Sequence, residues 1–406
     1  YSVSALSQLG YSSLKTMAPQ RSKQFYSTTL RITRVLKVYF SLSDILSYIE
    51  MARTTDITLT IVDQSPVRRG GTPRDSLQET VELAKKAESL GYKRYWVAEH
   101  HNSSSFSGTS PEILIGQIAA NTSRIRVGSA GVMLSHYSAL KVAEQFSVLD
   151  SFYPGRIDLG VGRAPGSDRR TAAALTYPRP TMDVQRDFPQ MVRDLTGFLD
   201  NGIDEGHPLS GISAYPGGKK ESAPKVWLLG SSDYSARLAA EMGLPFSFAD
   251  FFGNTSEYGP QVTDIYRNGF KPSLYLDEPI VNVGLQVICA PTEEEARFVG
   301  SSRSLNKVIS RLGLSTMGLI PPEEAINWPL DEHARAYMEH ETRSYIEGDP
   351  DQVREGVLAA SERYQTGDIG IVSNCYHFNQ RIQSYALVAE YLIGSSSVKE
   401  SAAISD

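Results

Sequence analysis

From Ile57 onward the chain alternates short β-branched runs with amphipathic stretches, and this alternation is what most restricts its fold. Ile57-Thr58-Leu59-Thr60-Ile61-Val62 reads as a strand. Arg74 to Leu90 follows with apolar residues at Leu77, Val81, Leu83, Ala84, Ala87 and Leu90, which is helical spacing, and Gly91 supplies the stop. Tyr95–Ala98, Ile125–Gly128, Ile157–Val161, Val226–Leu229, Phe246–Ala249, Val281–Ile288 and Asp368–Val372 are the next strands. The helices between them include Pro111–Ala120, Ser138–Leu149, Ser232–Met242 and a charged start at Glu293 with Thr292 as N-cap; Phe378–Leu392 closes the series. Repeated βα units imply parallel strands with right-handed crossovers, and eight of them predict an α/β fold that closes as a (β/α)8 TIM barrel. Two stretches break the rhythm, about 164–223 and about 301–348, and read as insertions after strands four and seven.

Charge separates the first fifty residues from the rest. Residues 1–43 hold six Lys/Arg and no Asp or Glu; taking that +6 from the net −6 leaves −12 on the other 363. With ten serines in residues 1–50, the segment has the composition of a mitochondrial or plastid transit peptide. We therefore expect residues 1–50 to be a non-core extension, residues 51–396 the barrel and residues 397–406 a flexible tail. Met51 is an alternative start. The expected location is cytoplasmic, or mitochondrial if the extension is a working address. An acidic body argues against nucleic acid as a partner. The lack of an apolar run of about 18 residues argues against a membrane span. Two cysteines, Cys289 and Cys375, exclude a disulfide scaffold and a multi-cysteine zinc site.

In such a barrel the chemistry sits just after the strands. Those positions hold Asp63 after strand one, Glu99, His100 and His101 after strand two, Ala130, Gly131, Val132 and Met133 after strand three, and Arg163 after strand four. After strand five, Gly230, Ser231, Ser232 and Ser235 run directly into a helix. Free N–H groups at a helix start bind anions, and Arg163 on the neighbouring strand could add a guanidinium, so the pair reads as a phosphate site. N-capping by Ser231 or Ser232 explains the serines equally well, and Asp233 would repel a phosphate unless it points away. Gly160-Val161-Gly162-Arg163-Ala164-Pro165-Gly166 is not a dinucleotide fingerprint, because the spacing is wrong and no helix follows. No metal is expected. His100 and His101 are adjacent on an extended segment and point to opposite faces, and no third ligand stands at zinc spacing. Nothing marks Glu99 and Asp63 as the paired carboxylates of a glycosidase.

The strings Tyr95-Trp96-Val97-Ala98-Glu99-His100-His101-Asn102, Val127-Gly128-Ser129-Ala130-Gly131-Val132-Met133-Leu134, Ala143-Glu144-Gln145-Phe146, Tyr153 to Gly166 and Leu228-Leu229-Gly230-Ser231-Ser232 occur in this order. In that order they resemble the luciferase-like flavin monooxygenase family, in its alkanal-monooxygenase-like branch, over about Ile57 to Ile393. The resemblance implies a barrel that uses reduced FMN and O2 to oxygenate a small organic substrate, such as an aldehyde, through a C4a-peroxyflavin. It implies His100 as the catalytic histidine, Arg163 and the Ser231, Ser232 and Ser235 turn on the flavin phosphate, and a cis peptide at Ala130–Gly131 beside the ring. Asp63, Val132, Met133 and Gly230 are further cofactor candidates, and Trp96, Glu99 and His101 are candidates for the substrate pocket. A flavin reductase as supplier and a homodimer are also implied. The alternatives are hydride transfer through F420 or bound flavin, and a non-catalytic flavin-binding barrel.

Overall fold

The computed structural model describes residues 57–163, 168–178, 184–200, 203, 205–216, 223–313 and 318–394. The expected extension (1–50) and tail (397–406) lie outside the described residues, as do residues 164–167 of the first insertion. Among the described residues no helix is long and apolar enough to cross a membrane.

Nine strands alternate with helices along the described chain. They are β1 (Thr58–Asp63), α1 (Pro73–Ser89), β2 (Arg94–Val97), α2 (Pro111–Ala120), β3 (Arg126–Met133), α3 (Ala139–Phe152) and β4 (Ile157–Gly162). The first insertion supplies α4 (Arg169–Thr176) and α5 (Val184–Leu199), before β5 (Lys225–Gly230), α6 (Asp233–Met242), β6 (Phe246–Ala249) and α7 (Gly259–Gly269). Then come β7 (Val281–Cys289), α8 (Glu293–Arg311), α9 (Pro322–Ala325), α10 (Glu332–Thr342), β8 (Ile346–Gly348), α11 (Pro350–Tyr364), β9 (Asp368–Val372) and α12 (Phe378–Ile393). The parallel order β6-β5-β4-β3-β2-β1-β9-β7 closes through β6–β7, with Phe246 beside Val281 and Ser247 beside Asn282. That is the expected eight-stranded (β/α)8 barrel.

The ninth strand was not anticipated. β8 has three residues and extends the top of β7 alone, pairing Val287–Cys289 with Ile346–Gly348. It is too short to show a period in the sequence. The second insertion also starts later than its composition suggests, because α8 runs unbroken from Glu293 to Arg311. Thr292 does cap it, accepting from the Glu295 N–H at 3.2 Å.

Strand alternation sorts side chains between two layers. Leu59, Ile61, Tyr95, Val97, Val127, Leu159, Val161, Leu228, Phe246 and Val283 face the helices in the main core. Val62, Trp96, Trp227 and Val372 fill the barrel interior. Leu77, placed by its spacing on the apolar face of α1, is instead 36% exposed. The buried face of α1 is Ser76, Thr80, Leu83, Ala84 and Ala87, small and hydroxyl side chains that fit where α1 meets the end of β1. Leu77 and Ile113 line an outer groove of about 920 Å³ between α1 and α2.

Candidate functional site

The floor of the barrel comes first, because it decides what the mouth can contain. Asp158, fully buried on β4, accepts from the Trp96 indole N–H at 3.0 Å and pairs with Arg126 at 2.6 Å. Arg94 stands over both Trp96 and Trp227, 5.7 and 5.1 Å from their rings. Trp96 is therefore part of a closed floor with no exposed surface, and the structure does not bring it to a substrate pocket.

Asp63 is also placed away from the mouth. It shares the outward parity of Leu59 and Ile61 and is fully buried against the helix layer. There it accepts from the Ser65 N–H (2.7 Å), the Thr80 hydroxyl (2.7 Å) and the Tyr95 hydroxyl (2.5 Å), and pairs with Arg381. Burial works against its charge, but the Arg381 guanidinium and these donors outweigh it and hold the carboxyl below the usual range. Val132 faces the helices too.

The remaining candidates lie on the ends of β2 to β5 and are linked in series. Glu99, 2% exposed, accepts from the Met133 N–H at 3.1 Å and from the Tyr137 hydroxyl at 2.8 Å, and it meets His101 Nε2 at 2.7 Å. Burial, then the Glu99 charge, pushes the Tyr137 hydroxyl far above its ordinary range. His136 sits edge-on to both His101 and Tyr137, at 6.2 and 6.1 Å. Tyr137 and His136 were not anticipated, since they lie in a single turn after β3, nearly forty residues beyond Glu99 and in no recognisable spacing.

His100 is held differently from His101. Its backbone N–H donates to the Gly108 carbonyl at 2.8 Å, and its ring lies 4.7 Å from Phe106, tilted by 30°. Among the described residues its Nδ1 is buried with no hydrogen-bond partner. Burial, and then the neighbouring His101, pushes its pKa down to about 4, so the ring is neutral at pH 7.

Between β3 and β4 the pairing register shifts from Ser129 to Val132, and within that shift the Ala130–Gly131 peptide is cis. A Cβ on Gly131 would lie 2.7 Å from the Gly160 carbonyl oxygen, so only glycine lets the strands approach here. Ala130 packs on the interior cluster, and the Met133 methyl lies over Gly162. The Ser135 hydroxyl, 3.5 Å from the Arg163 carbonyl, carries the series on to β4.

The Arg163 side chain crosses to the β5 turn, with its guanidinium carbon 4.3 Å from the Tyr234 ring centroid. No carboxylate among the described residues pairs with it. The turn itself separates the two readings of the serines. Ser232 occupies the N-cap of α6 with extended backbone, but its side chain makes no capping bond. Asp233 turns away into solvent towards Arg237, 3.4 Å off. A Cβ on Gly230 would lie 2.6 Å from that of Ser235, which is why the turn needs glycine there. Among the described residues, a guanidinium with no carboxylate partner, an N-cap hydroxyl that makes no capping bond and the N–H groups of a helix start form a donor set that fits a phosphate.

Above these ends, the Asn102 amide donates to Asp168, the N-cap of α4, at 3.3 Å. A cleft of about 800 Å³ opens there, lined by His101, Asn102, Asp168, Arg170, Thr171 and Leu175.

Comparison with known proteins places these features in context. The model of the luciferase-like monooxygenase family matches residues 57–366. The uncharacterized protein YwcH of Bacillus subtilis is 43% identical over 336 residues, 82% of this chain and 98% of that protein. The luciferase-like monooxygenase of Escherichia coli is 37% identical over 341 residues, 83% of this chain and 98% of that protein. Among solved structures, apo-MsnO8 superposes with a TM-score of 0.74 at 37% identity, covering 82% of this chain and 98% of that one.

Proposed function

Because this chain belongs to the luciferase-like monooxygenase family, we propose that it uses reduced FMN and O2 to oxygenate a small organic substrate. The observation that carries the choice of FMN is Arg163, stacked on Tyr234 with no carboxylate partner among the described residues, beside a serine turn whose N-cap hydroxyl is uncommitted. In this reading Arg163, Ser231, Ser232 and Ser235 hold the phosphate, and Ala130–Gly131 gives the flavin ring close backbone approach. When bound, reduced flavin supplies the electrons that activate O2.

The protein's part is positioning and proton control. Glu99 Oε1 lies 2.7 Å from His101 Nε2 and fixes the orientation of that ring at the mouth. His100, neutral at pH 7, offers a lone pair or an N–H without adding charge. The α4 cleft beside His101 is the route we assign to the substrate, an aldehyde being one candidate. A flavin reductase as supplier and a homodimeric assembly belong to the same proposal and rest on the family resemblance.

Equilibrium titration with FMN and with riboflavin tests the reading. Two or three charge-assisted hydrogen bonds on the phosphate predict that FMN binds at least ~10-fold tighter than riboflavin, and that Arg163→Gln removes most of the difference. Equal binding of both by the unaltered protein would overturn the phosphate assignment. Incorporation of ¹⁸O from O2 into a substrate, with a flavin reductase present, then tests oxygenation.

A further inference from the structure

The opposite sector of the mouth, on β1, β7 and β9, holds buried polar atoms that the flavin reading does not use. Leu285 and Val287 face the helices, so Gln286 alternates to the interior side of β7. Asn374 follows β9, and its amide donates to the Gln64 side chain, just after β1, at 2.5 Å. Gln286 and Asn374 are 7% and 4% exposed, yet Gln286 Oε1 and Asn374 Oδ1 have no partner among the described residues.

The helix α8 brings a complementary group to the same sector. β8 sets Glu347 opposite Ile288 at the top of β7. Gly300 leaves the space that the Glu347 carboxylate occupies. One turn later Arg303, 5% exposed, pairs with that carboxylate through Nη2 and lies 4.2 Å from the Tyr345 ring. Its Nε and Nη1 have no partner among the described residues. A further turn on, Asn306 meets Ser105 in the loop after β2, and Lys307 donates to the Phe252 carbonyl after β6. Residues 300, 303 and 306–307 share one face of α8, which thus runs across the strand ends. Cys375, next in the chain to Asn374, packs in one cluster with Ile288 of β7 and with Ala296 and Val299 of α8, the helix face that carries Arg303 a turn later.

A buried donor or acceptor left without a partner destabilises the fold, and a guanidinium cannot shed its charge to avoid that loss. Two donor nitrogens of Arg303 and two acceptor oxygens of Gln286 and Asn374, all without a partner among the described residues, are opposite halves of one recognition pattern. We propose that this sector is a substrate subsite that selects a carboxylate-bearing compound with an N–H or O–H donor close to the carboxylate. Arg303 takes the carboxylate, and Gln286 with Asn374 takes the donor. The subsite deepens the monooxygenase reading, and it depends on that reading only in calling the ligand the substrate.

Isothermal titration of the full chain with matched pairs tests it without turnover, using N-acetylmethionine against its carboxamide and octanoate against octanamide. The acids are expected to bind at least tenfold more tightly than the amides. Arg303→Gln should abolish that preference and Arg303→Lys should retain part of it. Gln286→Leu should weaken N-acetylmethionine several-fold and leave octanoate unchanged. Thermal melts without ligand show whether each variant folds, and if Arg303→Gln does not, the Gln286→Leu contrast decides. Equal binding of acids and amides, no binding of any probe at millimolar concentration, or an intact acid preference in folded Arg303→Gln would overturn the subsite, the polar atoms then being met by water. Oxygenation of a neutral aldehyde with no acid preference would leave the flavin reading standing and remove this one. Acid-selective binding with no flavin-dependent oxygen uptake would do the reverse.

Discussion

The guanidinium carbon of Arg163 lies 4.3 Å from the centroid of the Tyr234 ring, so the strand-four arginine is aimed by a residue of the strand-five turn. Arginine over a tyrosine face contributes about 0.5–1 kcal/mol at an exposed site. Tyr234→Leu keeps the charge but removes the surface that fixes its direction. FMN affinity should then fall about two- to fivefold, with riboflavin affinity unchanged. Fluorescence titration of both ligands measures this, and an equal loss for both would assign Tyr234 to the ring rather than to the arginine.

Acid should destabilise the fold through His100. Its folded pKa is lowered to about 4 from the ordinary 6.5. Between those values the unfolded chain binds a proton that the folded chain refuses, so stability falls as pH drops from about 6.5 towards 4. A shift of that size corresponds to on the order of 3 kcal/mol. Urea midpoints measured from pH 7 to pH 4.5 should fall more steeply for the unaltered protein than for His100→Asn, which cannot titrate. Parallel curves would show that His100 is hydrated and titrates normally.

The Asp63–Arg381 pair predicts a stability phenotype where a ligand role predicts a binding one. Both side chains are fully buried or nearly so, and removing one partner strands the other charge. Asp63→Ala is expected to cost about 3–5 kcal/mol in chemical denaturation. In whatever fraction folds, FMN affinity should stay within a factor of two. A folded variant of normal stability with lost FMN binding would return Asp63 to the cofactor site.

These contrasts show where strand-end positions were readable and where they were not. Period-two alternation and helix stops survive in the sequence as local patterns, so the barrel and the β3, β4 and β5 ends were legible. The α6 turn was legible to the residue, because an N-terminal helix turn is a local object. Asp63 ends its strand and so reads as a mouth residue, whereas its parity with Leu59 and Ile61 points it outward to the helices. Trp96 faces inward as its position suggested, but one layer too deep, and depth depends on the barrel's stagger. Tyr137, Arg303 and Gln286 acquire meaning only from Glu99, Glu347 and Asn374, 38 to 88 residues away, a relation no local spacing encodes.

The Glu99, His101 and Tyr137 group gives the last expectation. Glu99 is 2% exposed and is balanced by three donors: the Met133 N–H, the Tyr137 hydroxyl and His101. Tyr137→Phe removes one neutral donor to a buried carboxylate, which costs about 1.5–3 kcal/mol. The chemical consequence lies in His101, whose ring orientation depends on the same Glu99 oxygen that Tyr137 touches. Two donors on one carboxylate oxygen should be coupled in stability. In urea denaturation, the losses from Tyr137→Phe and His101→Phe should therefore fail to add in the double variant. Additive losses would show that Tyr137 packs beside the pair without sharing the Glu99 oxygen, and the stability cost alone would remain.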